Sequence, residues 1–324
     1  MSDIGALAAT NLTSPIILSF ALGLFAALVR SDLSVPEAAA KALSIYLLFA
    51  IGFKGGAGVA AHGLDATLAL ALVAGLVLSA ALPFAAFALL RLMTRLDTLN
   101  AAAVAGHYGS ISIVTFVAAT SMLQQQGIEA ESYMVAVAAI MEAPAIVSAL
   151  WLVSRGESAA RVDAGLWREI LLNGSIVLLA GAFLIGLVTG ADGLAEIESF
   201  IVAPFKGVLC LFLLDMGLVA GRGLRQSRGL VTPALLAFGV LMPLVGAMAG
   251  LAAALAIGLS SGGTVLLMVL AASASYIAVP AAMRVALPEA DPGIYLTLSL
   301  GVTFPFNLTL GIPLYLAVAA ALGG

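Results

Sequence analysis

Charge is what this sequence has least of. Only 9% of its 324 residues are Asp, Glu, Lys or Arg, and the formal net charge is -4. Soluble domains carry about 25% charged residues, so a soluble enzyme and a disordered chain are excluded. There is no basic surplus to hold a nucleic-acid backbone. A single cysteine, Cys210, rules out an intrachain disulfide and reads as a small core residue within an apolar run. His62 and His107 are the only histidines, and His107 has no second helical His or Cys beside it to make a metal site. Ser110 lacks the glycines two places before and after it that a nucleophile elbow needs. Met1 to Gly5 contain no basic residue, so the first apolar run is expected to be a permanent helix rather than a cleaved signal.

What fills the chain instead is apolar: 63% hydrophobic residues and a mean hydropathy of +1.18. The apolar runs are continuous rather than alternating, which favours helices over a membrane barrel. A spanning helix needs about 20 apolar residues. Ten segments qualify: 15–30, 43–60, 66–90, 98–122, 133–153, 170–189, 200–221, 230–257, 263–286 and 294–322. The expected fold is an all-α polytopic membrane protein.

The basic residues give an orientation. Lys54 and Lys206 lie inside segments; the other eleven are Arg30, Lys41, Arg91, Arg95, Arg155, Arg161, Arg168, Arg222, Arg225, Arg228 and Arg284. All eleven follow odd-numbered segments, a split that random placement gives about once in a thousand trials. By the positive-inside rule the odd loops are cytoplasmic and both termini lie outside, in a bacterial inner membrane.

Short motifs recur at near-constant offsets. Gly52-Phe53-Lys54-Gly55-Gly56 matches Gly217 to Gly221, and Gly109-Ser110-Ile111-Ser112 matches Ala274-Ser275-Tyr276-Ile277, both at 165 residues; Glu142-Ala143-Pro144 matches Thr303-Phe304-Pro305 at 161. Five segments per half is an odd number, so the second half enters from the opposite side, an inverted repeat. The expected division is 1–154 for the first repeat, 155–169 for a short cytoplasmic linker and 170–324 for the second.

Segments four and nine carry the polar interruptions. Segment four reads Gly106-His107-Tyr108-Gly109-Ser110-Ile111-Ser112, and segment nine reads Ser273-Ala274-Ser275-Tyr276 ahead of Pro280. Glycine weakens the first helix and proline the second, both near the bilayer centre. Two such breaks at matching places point to a binding site, where half-helix N-termini direct N–H groups at an anion. The expected substrate contacts are Tyr108, Gly109, Ser110, Ser112, Ser273, Ala274, Ser275 and Tyr276. The alternative is that these small residues only allow close helix packing.

Glu142, Ser148, Thr303 and Asn307, on the two segments that follow the breaks, form an oxygen-rich set suited to Na+, the expected coupling ion. An intramembrane charge needs a partner or a wet cavity, so a structural Lys54–Glu142 pair is the competing reading. Gly246-Ala247-Met248-Ala249-Gly250 is read as a helix-packing motif.

Four pieces together resemble the sodium-dependent bicarbonate transporters best known from cyanobacteria: Gly52 to Gly56, Gly106 to Ser112, Met141 to Val147, and Ala271 to Arg284 with Leu287 to Pro292. The resemblance implies a ten-helix inverted repeat with gate and core domains, a homotrimer, and co-transport of Na+ and bicarbonate near broken helices. It differs from the cyanobacterial pattern in having Tyr276 in place of an acid and Glu142 in place of Asp. The insert that would bear on a PII-like regulatory partner is cut to about fifteen residues at 155–169. A carrier of a small organic acid is the second reading, and an anion channel the third.

Overall fold

In the computed structural model, residues 12–63, 66–154, 172, 174–226 and 232–322 are described. The 155–169 linker, its three arginines, Arg228 and both extreme termini lie outside them. Among the described residues there is no strand, and by length and composition eight runs could cross a membrane, one of which, Ile176–Ile201, is bent at Gly190. The expected first and ninth segments are represented by shorter apolar helices, Pro15–Leu28 and Ser261–Ala272.

In chain order the helices are α1 (Pro15–Leu28), α2 (Glu37–His62), α3 (Ala66–Met93), α4 (Thr98–Gly109), α5 (Ile113–Gln125), α6 (Met134–Ile140) and α7 (Pro144–Ser154). They continue as α8 (Gly174–Ile201), α9 (Phe205–Gln226), α10 (Pro233–Ile257), α11 (Ser261–Ala272), α12 (Ala278–Ala286) and α13 (Pro292–Leu322). Their starts follow side-chain chemistry: Ser14, Asp97, Ser112, Thr232, Ser260 and Asp291 each accept a hydrogen bond from a backbone N–H of the first turn. Such caps satisfy donors that the helix itself leaves open.

Small residues set which helices touch. A Cβ on Gly56 would overlap the Phe183 carbonyl, so α2 and α8 meet backbone to backbone. A Cβ on Gly217 would overlap the Phe20 carbonyl, and α9 meets α1 in the same way. In both pairs residue numbers rise together, Gly52 facing Leu179 before Gly56 faces Phe183, so the paired helices run in the same direction. Gly246 and Gly250 face Ala271 and Leu267, which puts α11 antiparallel against α10 and bears out the packing motif there. Without a hydrophobic driving force between helices in lipid, such close approach is a main source of association.

Burial is graded. The most apolar window of the run Thr98–Gln125 is 100% buried, against 17% for Ile176–Ile201. The interrupted helices α4, α5 and α11 thus form the centre and α8 the periphery.

Three elements differ from the sequence expectation. Segment five is interrupted at Met141–Ala143, between α6 and α7, because Pro144 has no N–H to donate and its ring disfavours helical geometry in the residue before it. The matching Pro305 lies inside α13, which stays continuous by winding two wider stretches of π-helix, Thr297–Thr303 and Asn307–Gly311. Segments six and seven do not simply follow one another. Gly190, at φ 61 and ψ -147, turns α8 back on itself. Residues 179–187 pack beside Gly52 and Gly56, yet the Phe200 carbonyl accepts a hydrogen bond from Tyr46, earlier on α2, at 2.6 Å.

Gly217→Val is expected to destabilise the protein by about 1–3 kcal/mol through overpacking against α1. Gly207→Ala on the same helix, where an added Cβ meets nothing within 4 Å, should change stability by about 1 kcal/mol or less and in the favourable direction. Thermal unfolding of the two variants in detergent checks the contrast; equal melting temperatures would remove the close α1–α9 approach.

Candidate functional site

The centre of the molecule is where two broken helices cross. α4 ends at Gly109, and Ser110 leaves helical geometry at φ -90, ψ 163. α11 ends at Ala272, and Ser273 leaves it at φ -85, ψ 164, nearly the same conformation. The two helices therefore break alike at Ser110 and Ser273, two residues from the expected Ser110–Ser275 pairing. Their starts, capped by Asp97 and Ser260, are in the same relation. The chain resumes as helix at Ile113 and at Ala278.

Backbone groups freed by each break are met by the other. The Ser112 N–H donates to Ser273 Oγ at 2.9 Å, and the Ser275 N–H donates to the His107 carbonyl at 2.8 Å. Ser273 Oγ also donates to the Leu270 carbonyl at 2.9 Å. The Ser275 N–H is thus occupied, and Gly109 is still within α4; further donors lie along the chain, at the starts of α5 and α12.

Ser112 caps α5. Its Oγ accepts both the Thr115 N–H at 3.2 Å and the Thr115 hydroxyl at 2.9 Å, leaving its own proton to donate. Thr115 was not singled out from the sequence, although Ser112-x-x-Thr115 has the spacing of an N-cap and its N3 residue. Ser275 Oγ accepts from the Val279 N–H at 3.4 Å. Four buried side-chain atoms have no hydrogen-bond partner among the described residues: His107 Nε2, Ser110 Oγ, Glu142 Oε2 and Tyr276 Oη. Tyr276 Oη lies near Ser112 without reaching hydrogen-bond geometry.

Glu142 and Tyr276 share a cavity with Ile111, Ser112, Ile113, Ser275, Ile277 and Ala278. Its free volume is about 10 Å³, room for about one water in this conformation. The starts of α5 and α12 and one carboxyl group therefore surround a single space.

The remaining expected residues are held elsewhere. Tyr108 and Thr303 share a hydrogen bond of 2.7 Å, and the Thr303 hydroxyl reaches the Gly239 carbonyl at 2.6 Å. Asn307 donates to the Ala272 carbonyl at 2.9 Å, at the end of α11, and accepts from Tyr315 at 2.9 Å. Ser148 donates to the Ala80 carbonyl on α3 at 2.8 Å, and Ser79 to the Met141 carbonyl at 2.6 Å. The sodium set is thus divided: Glu142 lines the cavity, Thr303 and Asn307 brace α13 against α10 and α11, and Ser148 braces α7 against α3. Ala274 is buried between the two serines of its break.

No ion pair joins Lys54 and Glu142 among the described residues. Lys54 Nζ lies 5.3 Å from the centre of the Phe205 ring and lines a separate cavity of about 810 Å³ with Thr120, Gln124, Glu129 and Glu131. His107 is buried rather than wet; its Nδ1 is 2.7 Å from the Ala103 carbonyl, and its ring stacks on Tyr295 with centroids 4.4 Å apart. No cluster of three His, Cys, Asp or Glu residues suited to a metal occurs among the described residues.

Ser273→Ala should cost about 1–3 kcal/mol, because it leaves the buried Ser112 N–H without its acceptor. Ser110→Ala removes a hydroxyl that has no partner and should leave stability nearly unchanged. Chemical or thermal denaturation in detergent decides it: the reverse order would mean that the two breaks are not braced through Ser273.

Comparison with known families finds a match over residues 15–320 to one described as the Na+-dependent bicarbonate transporter superfamily. Comparison with curated proteins finds no significant match.

Proposed function

Because the chain belongs to the Na+-dependent bicarbonate transporter superfamily, we propose that it is a secondary active transporter that carries bicarbonate or a similar small monovalent anion inward with Na+. The observation that carries this reading is the shared cavity of Ser112, Ile113, Ile277, Ala278 and Glu142. Two helix N-termini converge on it, and their positive dipole ends, with the N–H groups of their first residues, Ile113 and Ala278, favour an anion. The Ser112 and Tyr276 hydroxyls supply further donors, with Tyr108, Gly109, Ser110, Ser273, Ala274 and Ser275 shaping the breaks around them.

Glu142 explains why a cation is needed. Two negative charges about 5 Å apart repel by about 3 kcal/mol at an effective dielectric of about 20. An anion entering beside an ionised Glu142 meets that repulsion unless a cation lies between them. Na+, a hard cation, suits the carboxylate and the carbonyl four residues before Pro144, which loses its helical donor because proline has no N–H. Thr303, Asn307 and Ser148 act in this scheme as braces that hold the two breaks and the carboxylate in place.

The inverted repeat is part of the proposal. It is supported by the matched breaks at Ser110 and Ser273, by the matched prolines 144 and 305, and by the corresponding same-direction pairs α2 with α8 and α9 with α1. Ten crossings, outside termini, an inner-membrane location and a homotrimer complete it. The orientation is supported by Arg225, which donates to the Ala27 carbonyl at 2.9 Å and so brings the basic ends of α1 and α9 to one side. A reporter fused behind Gly324 that is active only in the cytoplasm would overturn the orientation and the inverted repeat with it.

The primary test is uptake of labelled bicarbonate into cells or vesicles with Na+ or choline outside. Saturable, Na+-dependent uptake is expected. Uptake that neither saturates nor depends on Na+ would indicate a channel, and stronger competition by acetate than by formate or nitrate would favour the organic-acid reading. Glu142→Gln should weaken the apparent Na+ affinity about tenfold or more while changing anion affinity at saturating Na+ less. Tyr276→Phe should weaken anion affinity about tenfold to a hundredfold, the worth of one hydrogen bond to a charged group, with folding intact. The opposite ranking of Na+ and anion effects in Glu142→Gln would remove the carboxylate from the cation's site.

A further inference from the structure

Outside the central site, three arginines converge where α1 and α9 end. Arg30, Arg222 and Arg225 line an open cavity of about 330 Å³ together with Leu28 and Gln226, and among the described residues none that lines it is acidic. We propose that this cavity binds the phosphate group of an anionic lipid.

The backbone supplies the first reason. α1 ends in a paired turn: the Arg30 N–H donates to the Ala27 carbonyl at 3.3 Å and the Ser31 N–H to the Ala26 carbonyl at 2.9 Å. This ending places its middle residue in left-handed geometry and ordinarily takes glycine. Here that residue is Arg30, at φ 63, and no other non-glycine residue among those described has a positive φ. A strained arginine held by its surroundings is the kind of outlier from which function is inferred. If Arg30 served only to place positive charge on this side of the membrane, any unstrained position between α1 and α2 would do as well.

The charge balance supplies the second reason. Arg225 uses one N–H on the Ala27 carbonyl, and Arg222 reaches the Leu33 carbonyl at 3.5 Å. Each guanidinium has five N–H donors, so most remain available. Asp215, two turns earlier on α9, is close enough to Arg222 to act on it electrostatically but does not line the cavity. Three like charges around one space call for a counter-anion, and a phosphate group matches several guanidinium forks at once.

The third observation identifies the source of the phosphate. Leu18, Leu22, Phe25 and Val29 are all exposed and lie along one face of α1. That apolar stripe runs down to the cavity, with Leu28 on its wall. A lipid whose chains lie along the stripe brings its headgroup to the arginines, as basic pockets between membrane helices do. This inference is independent of which anion is transported.

Arg30→Gly separates the ligand role from a structural one. Glycine relieves the left-handed strain, so the lipid-free variant should melt at or above the temperature of the parent. The test measures melting of the full chain in neutral detergent against added phosphatidylglycerol, phosphatidylcholine or inorganic phosphate, with lipid adducts counted by native mass spectrometry. Phosphatidylglycerol is expected to stabilise the parent and phosphatidylcholine not to. In Arg30→Gly, and in Arg222→Gln as a second variant, the half-stabilising phosphatidylglycerol concentration should rise about fivefold per lost arginine. Stabilisation by millimolar inorganic phosphate with no lipid adduct would support the phosphate site while making its ligand a soluble one. Equal responses to the two lipids, or unchanged phosphatidylglycerol titrations in both variants, would overturn the proposal.

Discussion

In a bilayer core no water is present to pair a backbone group that leaves a helix. The rest of this structure follows from how that constraint is met where the chain breaks. Ser273 Oγ takes the Ser112 N–H, and the His107 carbonyl takes the Ser275 N–H, so each break supplies what the other lacks. Irregular backbone is tolerated at membrane depth only when buried in protein or lining a cavity. Accordingly α4, α5 and α11 occupy the most enclosed part of the molecule.

With the breaks fixed in this way, charge can be brought to them. Neither helix start relies on a nearby Lys or Arg; Lys54 stands over Phe205 in another cavity. The one acidic group at the crossing, Glu142, sits in a break of its own. A site made of helix ends and a single carboxylate is selective by balance. In the scheme proposed above, such a site favours a cation and an anion together over either alone.

Much of the fold was legible because membrane helices announce themselves by length and apolarity, and because Gly and Pro mark where helices fail. Pro280, Gly106 and Gly109 located the two breaks to within a few residues. The register differs on the two sides of the break: the helices before it end two residues apart from the sequence match, at Ser110 and Ser273, whereas those after it resume at Ile113 and Ala278, at the offset of 165 that the motifs show. In a stretch of Ala and Ser, side-chain identity carries little register information. Pro144 marked the break in segment five, but its equivalent, Pro305, sits in a continuous helix; whether a proline interrupts or is absorbed by wider turns depends on neighbours that sequence does not show. The same holds for Gly190, whose turn is fixed by the packing of both arms along α2. The sodium residues were read from oxygen chemistry, depth and position after the breaks, none of which reveals which side chains point at one another: Ser148, Thr303 and Asn307 each hydrogen-bond a neighbouring helix.

The mutual pairing of the breaks also bears on how the protein is made. Ser110 and Ser112 are synthesised more than 160 residues before Ser273 and Ser275. At 5–20 residues per second that is roughly ten to thirty seconds. For that interval the first half has an interrupted helix whose Ser112 N–H and His107 carbonyl lack their final partners. It must be kept near water, or sheltered by the insertion machinery, until the second half arrives. A first half produced alone would remain in that condition, whereas the two halves supplied as separate chains would contain every partner the crossing requires.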